Sequence, residues 1–117
     1  MADFRVLVCG GRDFDDWAKL REVLGGVLER HPGLVVVTGG ARGADRMAEE
    51  WAEEMSLERI VVEADWDTHG KAAGPIRNEK MLRDYTPQGV VAFPGGRGTA
   101  HMVSIAKKAG VPVIVVP

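Results

Sequence analysis

The apolar residues of this chain fall into five short runs separated by stretches in which apolar positions recur at helical spacing. The runs Phe4 to Cys9, Leu34 to Thr38, Arg59 to Ala64, Gly89 to Phe93 and Val113 to Val116 have strand length. The first lacks strict apolar–polar alternation, which suits a strand covered on both faces. Behind Asp15 or Asp16, either of which can cap a helix, Trp17, Leu20, Val23, Leu24, Val27 and Leu28 form one stripe that His31-Pro32-Gly33 ends. Met47, Ala48, Trp51, Ala52 and Met55 line one side of a helix over 44–55, with Glu49, Glu50, Glu53 and Glu54 as a solvated opposite side. Pro75 opens a third helix running to about Tyr85. Thr99 is expected to cap a fourth, with Met102, Val103 and Ala106 inward and Lys107-Lys108 near its end. The segment from Asp65 to Gly74, which holds Trp66, His69 and Lys71, reads as a long loop.

Strands alternating with helices predict right-handed crossovers. The expected fold is a Rossmann-like three-layer α/β/α domain with a parallel five-stranded sheet in the order 3-2-1-4-5. In such a sheet every strand-to-helix turn leaves from the same edge. Three of these turns are rich in glycine and carry arginine: Gly10-Gly11-Arg12-Asp13, Gly39-Gly40-Ala41-Arg42-Gly43-Ala44-Asp45 and Pro94-Gly95-Gly96-Arg97-Gly98-Thr99. They are expected to meet in one crevice, with bare backbone amides and guanidinium groups facing a phosphate-bearing ligand.

Size and composition narrow the partners. The 117 residues predict one domain over 1–117, and 45% hydrophobic with 27% charged residues is ordinary for a globular chain. A net charge of −2 and the lack of a basic-aromatic stripe argue against nucleic acid, single-stranded DNA included. The single cysteine, Cys9, has no disulfide partner; it is either a small buried residue or a reactive thiol. No apolar run approaches the roughly 20 residues of a membrane span, and the start Met1-Ala2-Asp3 is polar, so the expected location is cytoplasmic. His31, His69 and His101 have no metal-ligand spacing, and no metal or cofactor is expected; His69 is the one histidine near the expected site.

The turns also rule out familiar motifs. Thr38 stands where the dinucleotide fingerprint needs its first glycine, no acid ends the second strand, and no phosphate-loop lysine motif is present. Arg77, near a helix start, is either an anion or ribose clamp or a surface arginine in a salt bridge. Asp13 and Asp45 each either cap a helix or serve the ligand, through ribose hydroxyls or as acid and base. Trp66 either stacks on a base or packs.

Gly10-Gly11-Arg12-Asp13-Phe14, Gly40-Ala41-Arg42-Gly43-Ala44-Asp45, Gly74-Pro75-Ile76-Arg77-Asn78 and the segment from Pro94 to Thr99 together resemble the SLOG superfamily of Rossmann-like domains. That group includes the LOG-type phosphoribohydrolases and the DNA-processing protein DprA. Nearest is its YspA-like branch of small bacterial and phage proteins. The resemblance implies a nucleotide-type ligand and a homodimer, although the Met47, Trp51 and Met55 stripe reads as either core or subunit interface. In LOG-type enzymes the motif continues P-G-G-x-G-T-x-x-E, and the glutamate works with an arginine that Arg77 matches. Here Met102 occupies the glutamate position, and a thioether is neither acid nor base. Hydrolysis of the N-glycosidic bond would then need Asp13, Asp45 or Glu79.

The sequence thus predicts a binder, as sensor or sequestering protein, of a nucleoside monophosphate, ADP-ribose or an NAD-derived ligand. The alternative is a phosphoribohydrolase-like enzyme with Arg77, Asp13 and Asp45 as catalytic candidates. The expected ligand contacts are Gly10, Gly11, Arg12, Gly39, Gly40, Arg42, Gly43, Trp66, Arg77, Gly95, Gly96, Arg97, Gly98 and Thr99.

Overall fold

The computed structural model describes residues 3–117; Met1 and Ala2, the first two residues of the polar start, lie outside the described residues. The strands are β1 (Phe4–Cys9), β2 (Leu34–Thr38), β3 (Arg59–Val61), β4 (Gly89–Ala92) and β5 (Val113–Val115). The helices are α1 (Trp17–Arg30), α2 (Ala44–Glu54), α3 (Trp66–His69), α4 (Ala73–Tyr85) and α5 (Arg97–Lys108). All pairings are parallel and the sheet order is β3-β2-β1-β4-β5, as expected.

Burial on both faces explains why β1 does not alternate. Val6 and Val8 join Val36, Phe93, Leu20, Leu24, Met47 and Trp51 in one core. Leu7 joins Val37, Val90, Met81, Met102 and Ala106 in the other. Met47 and Trp51 are therefore core residues, whereas Met55, expected on the same stripe, caps the end of α2 and is 47% exposed. Asp16 caps α1, accepting from the Lys19 amide at 3.0 Å, a contact type worth about 1 kcal/mol.

Four expectations need correction. The strand expected over Arg59–Ala64 stops at Val61, because its partner β2 ends at Thr38; one last bond, Val62 N–H to the Thr38 carbonyl, closes the ladder. The expected loop from Asp65 to Gly74 is largely helical. Asp65 caps α3 through the Thr68 amide at 3.1 Å, and a single 3₁₀ turn over Gly70–Ala72 runs into α4. Glu49 is not simply solvated: its carboxylate accepts from the Thr38 hydroxyl at 2.7 Å. Thr99 does not cap α5. The helix begins three residues earlier, with Gly96 as the capping position, because the Gly96 carbonyl already accepts from the Ala100 amide. No helix of the described residues is long and apolar enough to cross a membrane.

Candidate functional site

The three glycine turns do meet, and Gly11 is where they are joined. Its amide donates to the Pro94 carbonyl at 2.8 Å, and its carbonyl accepts from the Ala44 amide at 3.2 Å. The first turn thereby holds the second and third against itself. The packing is backbone on backbone. A Cβ on Gly10 would sit 2.6 Å from the Ala44 Cβ; one on Gly95 would strike the Gly11 amide nitrogen and the Thr99 hydroxyl; one on Gly43, whose φ is +75°, would strike the Gly11 carbonyl.

Only the third turn keeps every one of its amides free. In the second turn Gly39 and Ala41 donate to Asp45 Oδ2 at 3.1 and 3.3 Å, Gly40 donates to the Thr38 hydroxyl, and Ala44 to Gly11. The expectation of bare amides in all three turns is corrected accordingly: a buried carboxylate already occupies the second. In the third turn no acceptor among the described residues meets the amides from Gly95 to Thr99. This helix start retains its unsatisfied donors and its partial positive charge. Gly96 and Gly98 border the crevice there, and a Cβ on either would meet open space. The fold does not require glycine at these two positions.

The crevice has two lobes that share Arg12, Gly39, Ala41, Trp66 and Arg77. The inner lobe, about 410 Å³, lies between Gly10-Gly11 and the α5 start and includes Asp45, Asn78, Arg97 and Thr99. The outer lobe, about 480 Å³, adds Gly40, Arg42, Arg46 and Glu63. Of the expected ligand contacts, all but Gly43 and Gly95 line the crevice. These two brace the turns. Asp13 is fully exposed, 3.8 Å from Arg42, and lines neither lobe, so it neither caps α1 nor faces the inner lobe. Glu79 is exposed and away from both lobes.

Arg77 is half-buried and, among the described residues, in no salt bridge. Its Nη1 donates to the Gly39 carbonyl, 2.6 Å away, and its Nε to Asn78 Oδ1 at 3.1 Å. The guanidinium lies where a Gly39 side chain would be, which accounts for that glycine. Burial, with Arg12 nearby, lowers its pKa. Asp45 is 5% exposed, and desolvation raises its pKa to about 6 despite the two amides and Arg77. Both amide bonds fall on Oδ2. No enclosed side-chain oxygen among the described residues lacks a partner, so Oδ1 opens on the crevice. Asp45 therefore caps the loop before its helix rather than the helix itself, whose capping position is Gly43. The Cys9 thiol also lines the inner lobe, but burial and the Asp45 charge push it up to about 12, so it stays protonated. Trp66 stands half-exposed on the rim between the lobes. Among the described residues no three His, Cys, Asp or Glu side chains cluster as metal ligands.

The family model described as YAcAr, the YspA, cpYpsA-related SLOG family, matches residues 4–69. The Gene 61 protein of Mycobacterium phage D29 is 47% identical over 118 residues, covering 94% of each chain. The chain belongs to the YAcAr family. Among solved structures, the Moco carrier protein of Chlamydomonas reinhardtii is similar at 25% identity and a TM-score of 0.72, over 98% of this chain and 76% of that one. The MurG of Acinetobacter baumannii (14%, TM-score 0.56, 96% of this chain and 33% of that one) shares the fold alone.

In this YAcAr chain the family match includes the first two turns; the third, with the free amides, lies beyond it. Sequence reasoning missed three residues of the site. Asn78, 5% exposed, bridges Arg77 to the α5 start by donating to the Gly98 carbonyl at 3.3 Å, and it lies 3.1 Å from His101 Nδ1. That makes His101, not His69, the histidine tied to the site. Glu63 and Arg46 are the others; neither lies in a glycine turn, and only the fold brings them to the crevice.

Proposed function

We propose that this protein binds a nucleotide or nucleotide-derived ligand, with a phosphate on the amides from Gly95 to Thr99 and the ligand running outward past Arg77 and Trp66. The observation that carries this reading is the pairing of five unclaimed amides with two glycines, Gly96 and Gly98, that leave space the fold does not use. A phosphate approaching a helix start this closely needs both features. Arg12, Arg77 and Arg97 supply charge around it. Trp66 offers a face to a base. The similar Moco carrier protein is by name a carrier, which agrees with binding without turnover, as a sensor or sequestering protein.

A second reading is an N-glycosidase, and one observation favours it: Asp45 presents Oδ1 to the crevice with a pKa near 6, suited to acid–base work at neutral pH. Asp13 and Glu79 stand too far out to share that role, and Met102 is fully buried in the core. One experiment separates the readings. The protein is titrated with AMP, ADP-ribose and NAD by calorimetry, and the mixtures are then followed for free base by chromatography. Binding without base release, at high protein concentration and long times, is the expected result. Base release would replace the sensor reading with the enzyme, and failure of every compound to bind would remove the nucleotide reading.

A further inference from the structure

We infer that the ligand carries two phosphate groups separated by its sugar, one in each lobe, and that Arg46 together with Arg42 holds the outer one. The inference rests on the nucleotide reading for the inner phosphate. That phosphate accounts for the α5 amides and leaves the outer lobe unexplained. The outer lobe, about 480 Å³, has room for a sugar and a second anion.

Its charge is lopsided. Arg12, Arg42, Arg46 and Arg77 border it, against the single carboxylate of Glu63. Among the described residues Arg12, Arg46 and Arg77 have no carboxylate within 4.0 Å. Arg42 has only Asp13, at 3.8 Å, with both groups well exposed, a contact that a bound anion readily displaces. Guanidinium groups converging on one hollow repel each other, and Arg12 helps to lower the Arg77 pKa. An anion relieves that repulsion and can be gripped by two planar donors at once.

Arg42, just before the Gly43 capping position, and Arg46, in the first turn of α2, both border the lobe. Four amides here are already taken, Ala44 by the Gly11 carbonyl and Gly39, Gly40 and Ala41 by the Asp45 carboxylate and the Thr38 hydroxyl. The outer anion therefore depends on side chains, where the inner one depends on backbone. Glu63 lies over Gly40 on the same lobe. A carboxylate there repels a bare polyphosphate and accepts from sugar hydroxyls between two phosphates. These features fit a nucleoside bisphosphate better than a mononucleotide or a contiguous diphosphate.

The test is calorimetric titration of the full chain with AMP, ADP and adenosine 3′,5′-bisphosphate at one ionic strength, repeated on Arg46→Ala and Arg46→Lys. Arg46 is exposed, so both variants should melt with the wild type. Wild type should bind the bisphosphate at least about tenfold more tightly than AMP or ADP. Arg46→Ala should erase most of that preference while changing AMP affinity by less than about twofold, and Arg46→Lys should recover part of it. The inference is overturned when the bisphosphate binds no better than AMP, when ADP gains as much as the bisphosphate, or when Arg46→Ala weakens AMP and bisphosphate alike. Loss of AMP binding in wild type, with bisphosphate binding that still depends on Arg46, would instead fault the mononucleotide reading and leave the outer lobe standing. Binding of neither compound overturns both.

Discussion

Asp45 is held where a carboxylate is costly. Its side chain is nearly enclosed, and burial outweighs two amide donors and a nearby guanidinium in setting its pKa at about 6. A carboxyl group whose folded pKa exceeds its unfolded value binds its proton more tightly in the native state. The native state is therefore favoured below pH 4 by this group, and that advantage is lost as the pH rises through about 6. The full span is worth on the order of 3 kcal/mol. Asp45→Asn keeps an oxygen to accept from Gly39 and Ala41 and removes the charge. The variant should lose most of the fall in stability between pH 4 and 6, measured by urea midpoints, and should be at least as stable as wild type at pH 7. A slope unchanged from wild type would mean that Asp45 is not the titrating group.

At the scale of the element, α5 joins a sound buried face to a weak first turn. Met102 and Ala106 anchor the face, while Gly98 sits inside the helix at a position where glycine costs about 1 kcal/mol relative to alanine. Gly98→Ala should raise the thermal midpoint and, on the proposed function, weaken nucleotide binding about tenfold or more, by placing a methyl group in the open space assigned to the phosphate. Gained stability with undiminished affinity would remove that glycine from the site. The strands and the stripes of α1 and α2 were legible because burial on a sheet or a helix face repeats locally. The one-sided arrangement of the turns was legible because a parallel sheet forces it. Asn78, Glu63 and Arg46 were not, since no local pattern marks a residue whose partners lie on another element. Asp45 was half-legible: its place after the turn suggested a cap, but not that it would cap the loop behind it. The Asp65–Gly74 stretch read as a loop because Gly70 and Gly74 hid the Asp65–Thr68 cap.

At the scale of the molecule, the turns form one piece of backbone. Gly43 at φ +75° faces the Gly11 carbonyl with no room for a methyl group, so Gly43→Ala incurs both backbone strain and a collision. We expect it to lower unfolding stability by more than about 2 kcal/mol in urea titration, and a wild-type midpoint would show that the brace is loose. The same bracing fixes when the site can exist. Its pieces come from residues 10–14, 39–45 and 94–99, and the Gly11–Pro94 bond closes a loop over most of the chain. During synthesis the first two turns leave the ribosome long before α5 does. The growing chain therefore cannot complete this crevice until α5 has emerged and docked.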